Sequence, residues 1–227
     1  TIMKLNIEIR AGEGGQDAQL LTESQAAIYA AYAKSLNIKL NKSAGLGWIL
    51  LELEGSSKDL LPLKLESGGH RWQRIPPTER KGRVHTSTVT VAIIDPTFTA
   101  QAVEFNEREF KVEWYSGTGA GGQNRNKVQC CCRLTHLASG IIVTSQRRSR
   151  INSFDEAKTA ILARLNSQQF SNYHLQIAHD RKAQVGSGMR GDKIRTYREQ
   201  DDTVTDHRSE KRASLKSILQ GKLEKVW

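Results

Sequence analysis

A chain of 227 residues can bury a sizeable core and divide into two or three compact units, which excludes a minimal disulfide-stapled scaffold. Its formal net charge of +10 and pI near 9.6 suit a polyanionic partner. No apolar run is long enough to cross a bilayer and no segment reads as a basic amphipathic membrane helix, so nucleic acid is favoured over a membrane surface, with a basic solvated surface as the bland alternative.

The chain opens on Thr1 rather than Met and carries no secretory signal, so a processed or trimmed N-terminus and a cytoplasmic location are expected. From Met3 to Arg10, alternation of apolar and polar residues predicts a half-buried strand. After "AGEGG", the stretch from Asp17 to about Ser35 has helical spacing. Short strands are expected in "WILLELE", in "LKLE" and in "HTSTVTVAII", which ends at Ile94. Between the last two, "SGGHRWQRIPPTERKGR" reads as an exposed loop, because Pro76 and Pro77 remove two backbone donors and Gly82 closes the far side. The first unit is expected to end near "DPTFTA", Asp95 to Ala100.

The second unit opens with the strand "EFKVEWY", passes through glycine-rich residues from Ser116 to Gly122, and returns in "VQCCCRLTHL" and "GIIVTSQ". Its three cysteines, Cys130, Cys131 and Cys132, are consecutive; strand neighbours point to opposite faces and cannot easily bridge. His136 alone does not complete a zinc set, so small strand residues in a reducing compartment are the reading, with no metal. Ser153 and Glu156 have capping-box spacing ahead of helical periodicity that runs to about Gln169 and resumes to about Gln184. A Gly/Arg/Asp-rich segment follows, and a charged helix is expected from about Ser209 to Glu224.

The triplet Gly-Gly-Gln occurs twice, at Gly14 to Gln16 and at Gly121 to Gln123. Gly117, Gly119, Gly121 and Gly122 give a loop that a partner can approach closely, but no Lys-Ser/Thr pair makes it a nucleotide P-loop. "TGAGGQNRNKV", followed by "RLTHLASGIIV", resembles the catalytic domain of class I peptide chain release factors: Gly119, Gly121, Gly122, Gln123, Asn126, Thr135, His136 and Gly140 match its pattern. "LESGGHRWQRIPPTERKGRVHTSTVTVA" resembles the family's UAA/UAG-reading domain, with its P-x-T tripeptide at Pro76, Pro77 and Thr78.

The resemblance implies an α+β fold in three parts: a codon-reading α/β domain over residues 1–106, a small α+β domain with the catalytic loop over 107–184, and a C-terminal segment, 185–227, that packs on the codon-reading domain. It implies that Thr78 contacts the first two bases, His85 stacks beside the second, and Gln73 and Thr86 read the third. Gly14 and the following helix start resemble the first-base reader, a helix end suiting the carbonyls of a uracil; Asp17 stands where the family commonly has Glu. Gly121, Gly122 and Gln123 would act in ester hydrolysis of peptidyl-tRNA in the large ribosomal subunit, the Gln123 N–H stabilising developing charge without covalent catalysis, metal or cofactor.

Asn126, Arg147, Arg148, Arg150, Arg190, Lys193, Arg195, Arg198 and Arg208 are expected to face RNA. The implied partners are the rRNA of both ribosomal subunits, the mRNA stop codon, peptidyl-tRNA and a methyltransferase that N5-methylates Gln123, the chain itself acting as a monomer away from membranes. The family's N-terminal helical domain has no counterpart among the matched segments, so a trimmed or naturally short factor is expected. "NRNKVQCCCR" departs from the commoner "HVNTTDSAVR". Two alternatives stay open: a stop-codon-independent ribosome-rescue hydrolase, which has no use for Gln73, Pro76, Thr78 and His85, and a non-catalytic RNA-binding protein.

Overall fold

The computed structural model describes residues 2–96, 103–119, 122–123 and 127–227. In chain order the elements are β1 (Ile2–Ala11), α1 (Gly15–Ser35), β2 (Lys39–Gly45), β3 (Trp48–Ser56), α2 (Ser57–Leu60), a 3-10 helix (Leu61–Glu66), β4 (Gly68–Arg74) and β5 (His85–Ile94). They continue as β6 (Phe110–Tyr115), β7 (Cys131–His136), β8 (Ile142–Ser145), α3 (Arg150–Val185), β9 (Arg195–Arg198), β10 (Thr203–Asp206), β11 (Arg212–Ser214) and α4 (Leu215–Leu219). The chain divides into two units, residues 1–98 with 177–227, and residues 99–176. These divisions fall earlier than the 106/107 and 184/185 boundaries that the resemblance implies, and α3 runs through the second without a break that sequence could mark. The expected end of the first unit at "DPTFTA" lies mostly outside the described residues.

The larger unit is built on an eight-stranded sheet in the order β11-β10-β9-β4-β5-β1-β3-β2. Its neighbours are antiparallel except β4 and β9, which run parallel. Alternation in β1 buries Leu5, Ile7 and Ile9 together with Ile49, Leu51 and Leu53 of β3 and Val89, Val91 and Ile93 of β5. Leu21, Ile28 and Tyr29 of α1 close over this face, each buried aliphatic side chain contributing about 1.5–3 kcal/mol of transfer free energy. The outward residues of β5, Thr90 and Ala92, lie beneath the last turns of α3, where Gln184 exchanges hydrogen bonds with the Ile93 backbone.

Strands β4 and β9 are joined by a stack of Trp72 on Tyr197, with ring centroids 4.3 Å apart and planes 4° from parallel. Around it lies a buried polar network. Trp72 Nε1 donates to Gln25 Oε1, and Gln25 Nε2 donates to the Tyr29 and Tyr197 hydroxyls. His70 Nε2 can only donate to the Glu66 carbonyl at 2.9 Å, so Nδ1 accepts the Tyr197 proton at 3.0 Å. Arg195 is 0% exposed and bridges Glu66 at 2.7 Å and Asp206 at 2.9 Å. The expectation that Arg195 faces RNA is therefore corrected: its five donors are turned into the unit, where burial of an unpaired guanidinium would be prohibitive.

Several local expectations are also revised. "LKLE" is not a strand: Pro62 opens a 3-10 helix whose buried residues Leu63 and Glu66 are three positions apart, one step on from the buried Leu60 at its N-cap. The segment 68–74, expected as loop, is β4, hydrogen bonded on both sides, and the loop proper is 75–84. β2 gives little periodic signal because it is an edge strand exposed along most of its length. The expected terminal helix is instead β11, the short α4 and a 3-10 turn, because Leu215, Ile218, Leu223 and Val226 must all reach the core and Gly221 breaks the helix at φ 84°.

In the smaller unit, β6, β7 and β8 form an antiparallel sheet in sequence order. Phe110, Cys132, Leu134 and Val143 pack against Ala157, Ile161 and Leu165 on one face of α3. Burial pushes the Cys132 thiol up, so it behaves as a small apolar residue. α3 is a single helix that starts at Arg150, so Ser153 is not its N-cap. The Ser153 hydroxyl accepts the Arg147 N–H at 2.9 Å instead, and Glu156 takes the Arg147 guanidinium at 2.6 and 2.8 Å.

Candidate nucleic-acid interface

One end of the large sheet gathers most of the residues expected to read bases. The β4–β5 register pairs Gln73 directly with Thr86, and Arg74 with His85. Strand alternation then divides them. His85 and Arg74 lie on the face that carries α1, as Ser87 and Trp72 do; Gln73 and Thr86 lie on the opposite face. His85 is exposed and Thr86 half-buried.

Helix α1 starts beside this end. Gly14 is its N-cap at φ 141°, with no side-chain cap. A Cβ there would stand 2.5 Å from the Ser87 Cβ, so both the conformation and the close approach to β5 require glycine. Asp17, expected to contact the codon, is 4% exposed and its Oδ1 receives Arg74 Nη2 at 2.8 Å and Nε at 3.1 Å. Direct contact by Asp17 is corrected accordingly: Asp17 anchors the helix start to the end of β4. Gln16, by contrast, is exposed.

Pro76 is buried, whereas Pro77 and Thr78 are exposed at the crest of a turn closed by the Glu79 N–H on the Pro76 carbonyl at 3.0 Å. Glu79 then organises the rest of the loop. Its carboxylate accepts the Lys81 N–H at 2.7 Å, Arg83 Nε at 3.2 Å and His85 Nε2 at 2.8 Å. The Lys81 amide, followed by His85 and Arg83, holds the Glu79 carboxyl below the usual range, so it is ionised near neutrality. On the other face, Arg198 Nε donates to Gln73 Oε1 at 3.1 Å, which turns the Gln73 amide NH2 outward. Burial and then Arg198 depress Arg71, and burial, then Lys193 and Arg71, depress His207: this face is crowded with positive charge. Sequence reasoning missed Arg74, Glu79 and Arg198 as organisers. Only Glu79 left a local signal, six residues before His85; the other two act across 57 and 125 positions.

In the smaller unit, Gly122 and Gln123 are exposed, while Gly121 and Asn126 lie outside the described residues. Among the described residues, a Cβ at Gly122 would meet nothing within 4 Å. Arg148 is exposed; Arg150 donates to the Gln129 carbonyl at 2.8 Å and covers the Trp114 ring at 4.8 Å. Arg147, then Ser145, holds Glu156 down to about 2, so part of the Arg147 charge is already matched within the unit. Arg208, 42% exposed, donates to the Leu65 carbonyl and reaches Asp206 at 3.5 Å. Arg190 pairs with Glu13, and Lys193 is half-buried. Among the described residues, no helix is long and apolar enough to cross a membrane.

Comparison with known proteins matches the PCRF domain over residues 3–91 and the RF-1 domain over residues 99–208. RF2 of Thermus thermophilus superposes with a TM-score of 0.55 at 26% identity, over 98% of this chain and 65% of that one. The two domains in tandem, with the α+β fold, define a class I peptide chain release factor, and the chain belongs to that family. Among its relatives are peptide chain release factor 1 of Borreliella afzelii (strain PKo), 37% identical over 97% of this chain, and that of Staphylococcus haemolyticus (strain JCSC1435), 36% identical over 97%. The chain spans 64% and 63% of their lengths, a little under two thirds.

Proposed function

We propose that this chain terminates translation, reading UAA and UAG in the ribosomal A site and triggering hydrolysis of the peptidyl-tRNA ester. The observation that carries the reading is the convergence of Gly14, Thr78, His85, Gln73 and Thr86 on one unit, with Gln73 and Thr86 paired across two strands. A hydrolase indifferent to the codon has no use for that arrangement. His85 lies on the face that carries α1, two residues before the Ser87 that meets Gly14, and Thr78 is exposed on the loop leading to it, which supports a role for the two at the first two bases. The third base would be met on the opposite face, where Gln73 and the Thr86 hydroxyl can accept or donate and so tolerate A or G.

On the other unit, Gly121, Gly122 and Gln123 would enter the peptidyl transferase centre. The Gln123 backbone N–H offers a donor to the oxyanion that forms as water attacks the ester carbonyl, and its side chain restricts the nucleophile to water. Ribosomal RNA and the tRNA would complete the site, and N5-methylation of Gln123 by a methyltransferase fits its exposure. Arg148, Arg150 and Arg198 are exposed and Lys193 half-buried, which supports a role for them in meeting phosphates.

Peptide release from ribosomes programmed with UAA, UAG, UGA, a sense codon or an empty A site tests the reading. Release at UAA and UAG alone is expected. Release at an empty site would favour rescue, and no release at any would favour a non-catalytic RNA binder.

A further inference from the structure

Thr88 stands where three segments of the larger unit meet. It is 1% exposed, on the face of β5 opposite α1. Its backbone carries the sheet onto the turn after β1: the Gly12 N–H donates to the Thr88 carbonyl at 2.9 Å, and the Thr88 N–H donates to the Glu13 carbonyl at 2.7 Å. The Thr88 hydroxyl accepts the Glu13 N–H at 2.8 Å, and its own proton has the Glu13 and Gly188 carbonyls within 3.2 and 3.3 Å. The fit is close, since a Cβ on Gly12 would lie 2.7 Å from Thr88 Oγ1 and 3.2 Å from the Gly188 oxygen.

The same turn is fastened a second time. Glu13 Oε2 accepts the Arg190 N–H at 3.2 Å, and Glu13 Oε1 lies 3.3 Å from Arg190 Nε. Both side chains are about half exposed, so this pair adds little to stability. Its effect is on where a charge sits. Glu13 immediately precedes the N-cap of a helix with no side-chain cap, and an unrestrained carboxylate at that position is drawn to the open N–H groups. Asp17, the other acid at this helix start, is held aside by Arg74. Arg190 does the same for Glu13.

We propose that Thr88 and Arg190 are positioning residues for selection of the first codon base: Thr88 fixes the Gly12–Gly15 turn against the codon-reading strand, and Arg190 keeps the Glu13 carboxylate clear of the helix start. The inference rests on the termination reading above. It makes the C-terminal segment a working part of base recognition rather than a brace.

The test is the kcat and KM of peptide release at UAA, at CAA, which changes only the first base, and at UGA. Thr88→Val is expected to raise KM at UAA about tenfold with kcat unchanged, and to narrow the UAA/CAA ratio while leaving UAA/UGA as it was. Thr88→Ser, which keeps the hydroxyl, is expected to match the parent. Arg190→Gln is expected to raise KM in the same way, and Glu13→Gln added to it to restore the parent value. This surface pair keeps the test valid if Thr88→Val folds poorly. With parental discrimination intact, an unchanged UAA/CAA ratio in Arg190→Gln, or a double variant no better than the single, overturns the inference alone. A parent that releases equally at UAA and CAA overturns both the inference and the reading beneath it.

Discussion

Arg195 and Glu66 meet at 2.7 Å with neither side chain exposed, and the same guanidinium reaches Asp206 at 2.9 Å. Burial opposes both charges, yet the attraction of Glu66 raises Arg195 well above its ordinary value, and Asp206 falls below its own through Arg195 and the Arg208 and Ser209 amides. Arg195→Met leaves two buried carboxylates without their counter-charge and is expected to cost about 3–5 kcal/mol in urea unfolding. Arg195→Lys, a point charge that cannot serve both acids, is expected to recover only part of this.

His70 supplies a pH signature for the same network. Burial lowers its pKa to about 4 from an ordinary value near 6.5. The unfolded chain therefore binds a proton that the folded chain refuses between those values, so stability from this residue is complete above pH 6.5 and drains away as pH falls toward 4. The full span corresponds to about 3 kcal/mol. Unfolding free energies at pH 7, 6 and 5 are expected to fall in the parent and to change less in His70→Gln.

Glu79 is the carboxylate that ties Lys81, Arg83 and His85 into one loop conformation. Glu79→Gln keeps the shape but loses the charge that holds three donors. Release at UAA is expected to show KM raised on the order of threefold to tenfold with kcat nearly unchanged. The melting temperature is expected to stay at the parental value, since the loop lies outside the core. The His85 ring resonances in NMR provide a direct readout of lost orientation.

Gly122 separates folding from chemistry. Because a Cβ there meets nothing within 4 Å among the described residues, Gly122→Ala is expected to leave the melting temperature unchanged. On the proposed mechanism, release is expected to fall on the order of 100-fold, because the crowding would arise only inside the ribosomal pocket. Gln123→Ala keeps its backbone N–H and is expected to retain more activity. The reverse order would remove the backbone donor from the mechanism.

Much of this molecule was legible in its residues. Alternation located β1 and β3 because each buries one face, β5 showed itself by its run of Thr and Val although both of its faces are buried, and the glycine loop and P-x-T tripeptide stood out because few residue types fit them. What escaped was long-range. Arg195 has the composition of an RNA contact, and only the parallel pairing of β9 with β4, across more than a hundred residues, turns it inward onto Glu66. Asp17 likewise reads as a free acid until Arg74 arrives from another strand. The 3-10 helix over Leu61–Glu66 hid because a period of three over six residues resembles a short alternating run.

Strand β5 imposes a rule on how the proposed recognition surface could change over time. His85 and Ser87 point one way and Thr86 and Thr88 the other, so one residue inserted or deleted among them would exchange the two sets. The turn would lose Thr88 and the helix start would lose its seat on Ser87 in the same step. If this end reads codons as proposed, new preferences are accessible by exchanging side chains in place, or by remodelling the loop between Ile75 and Val84, while the length of this strand segment stays fixed.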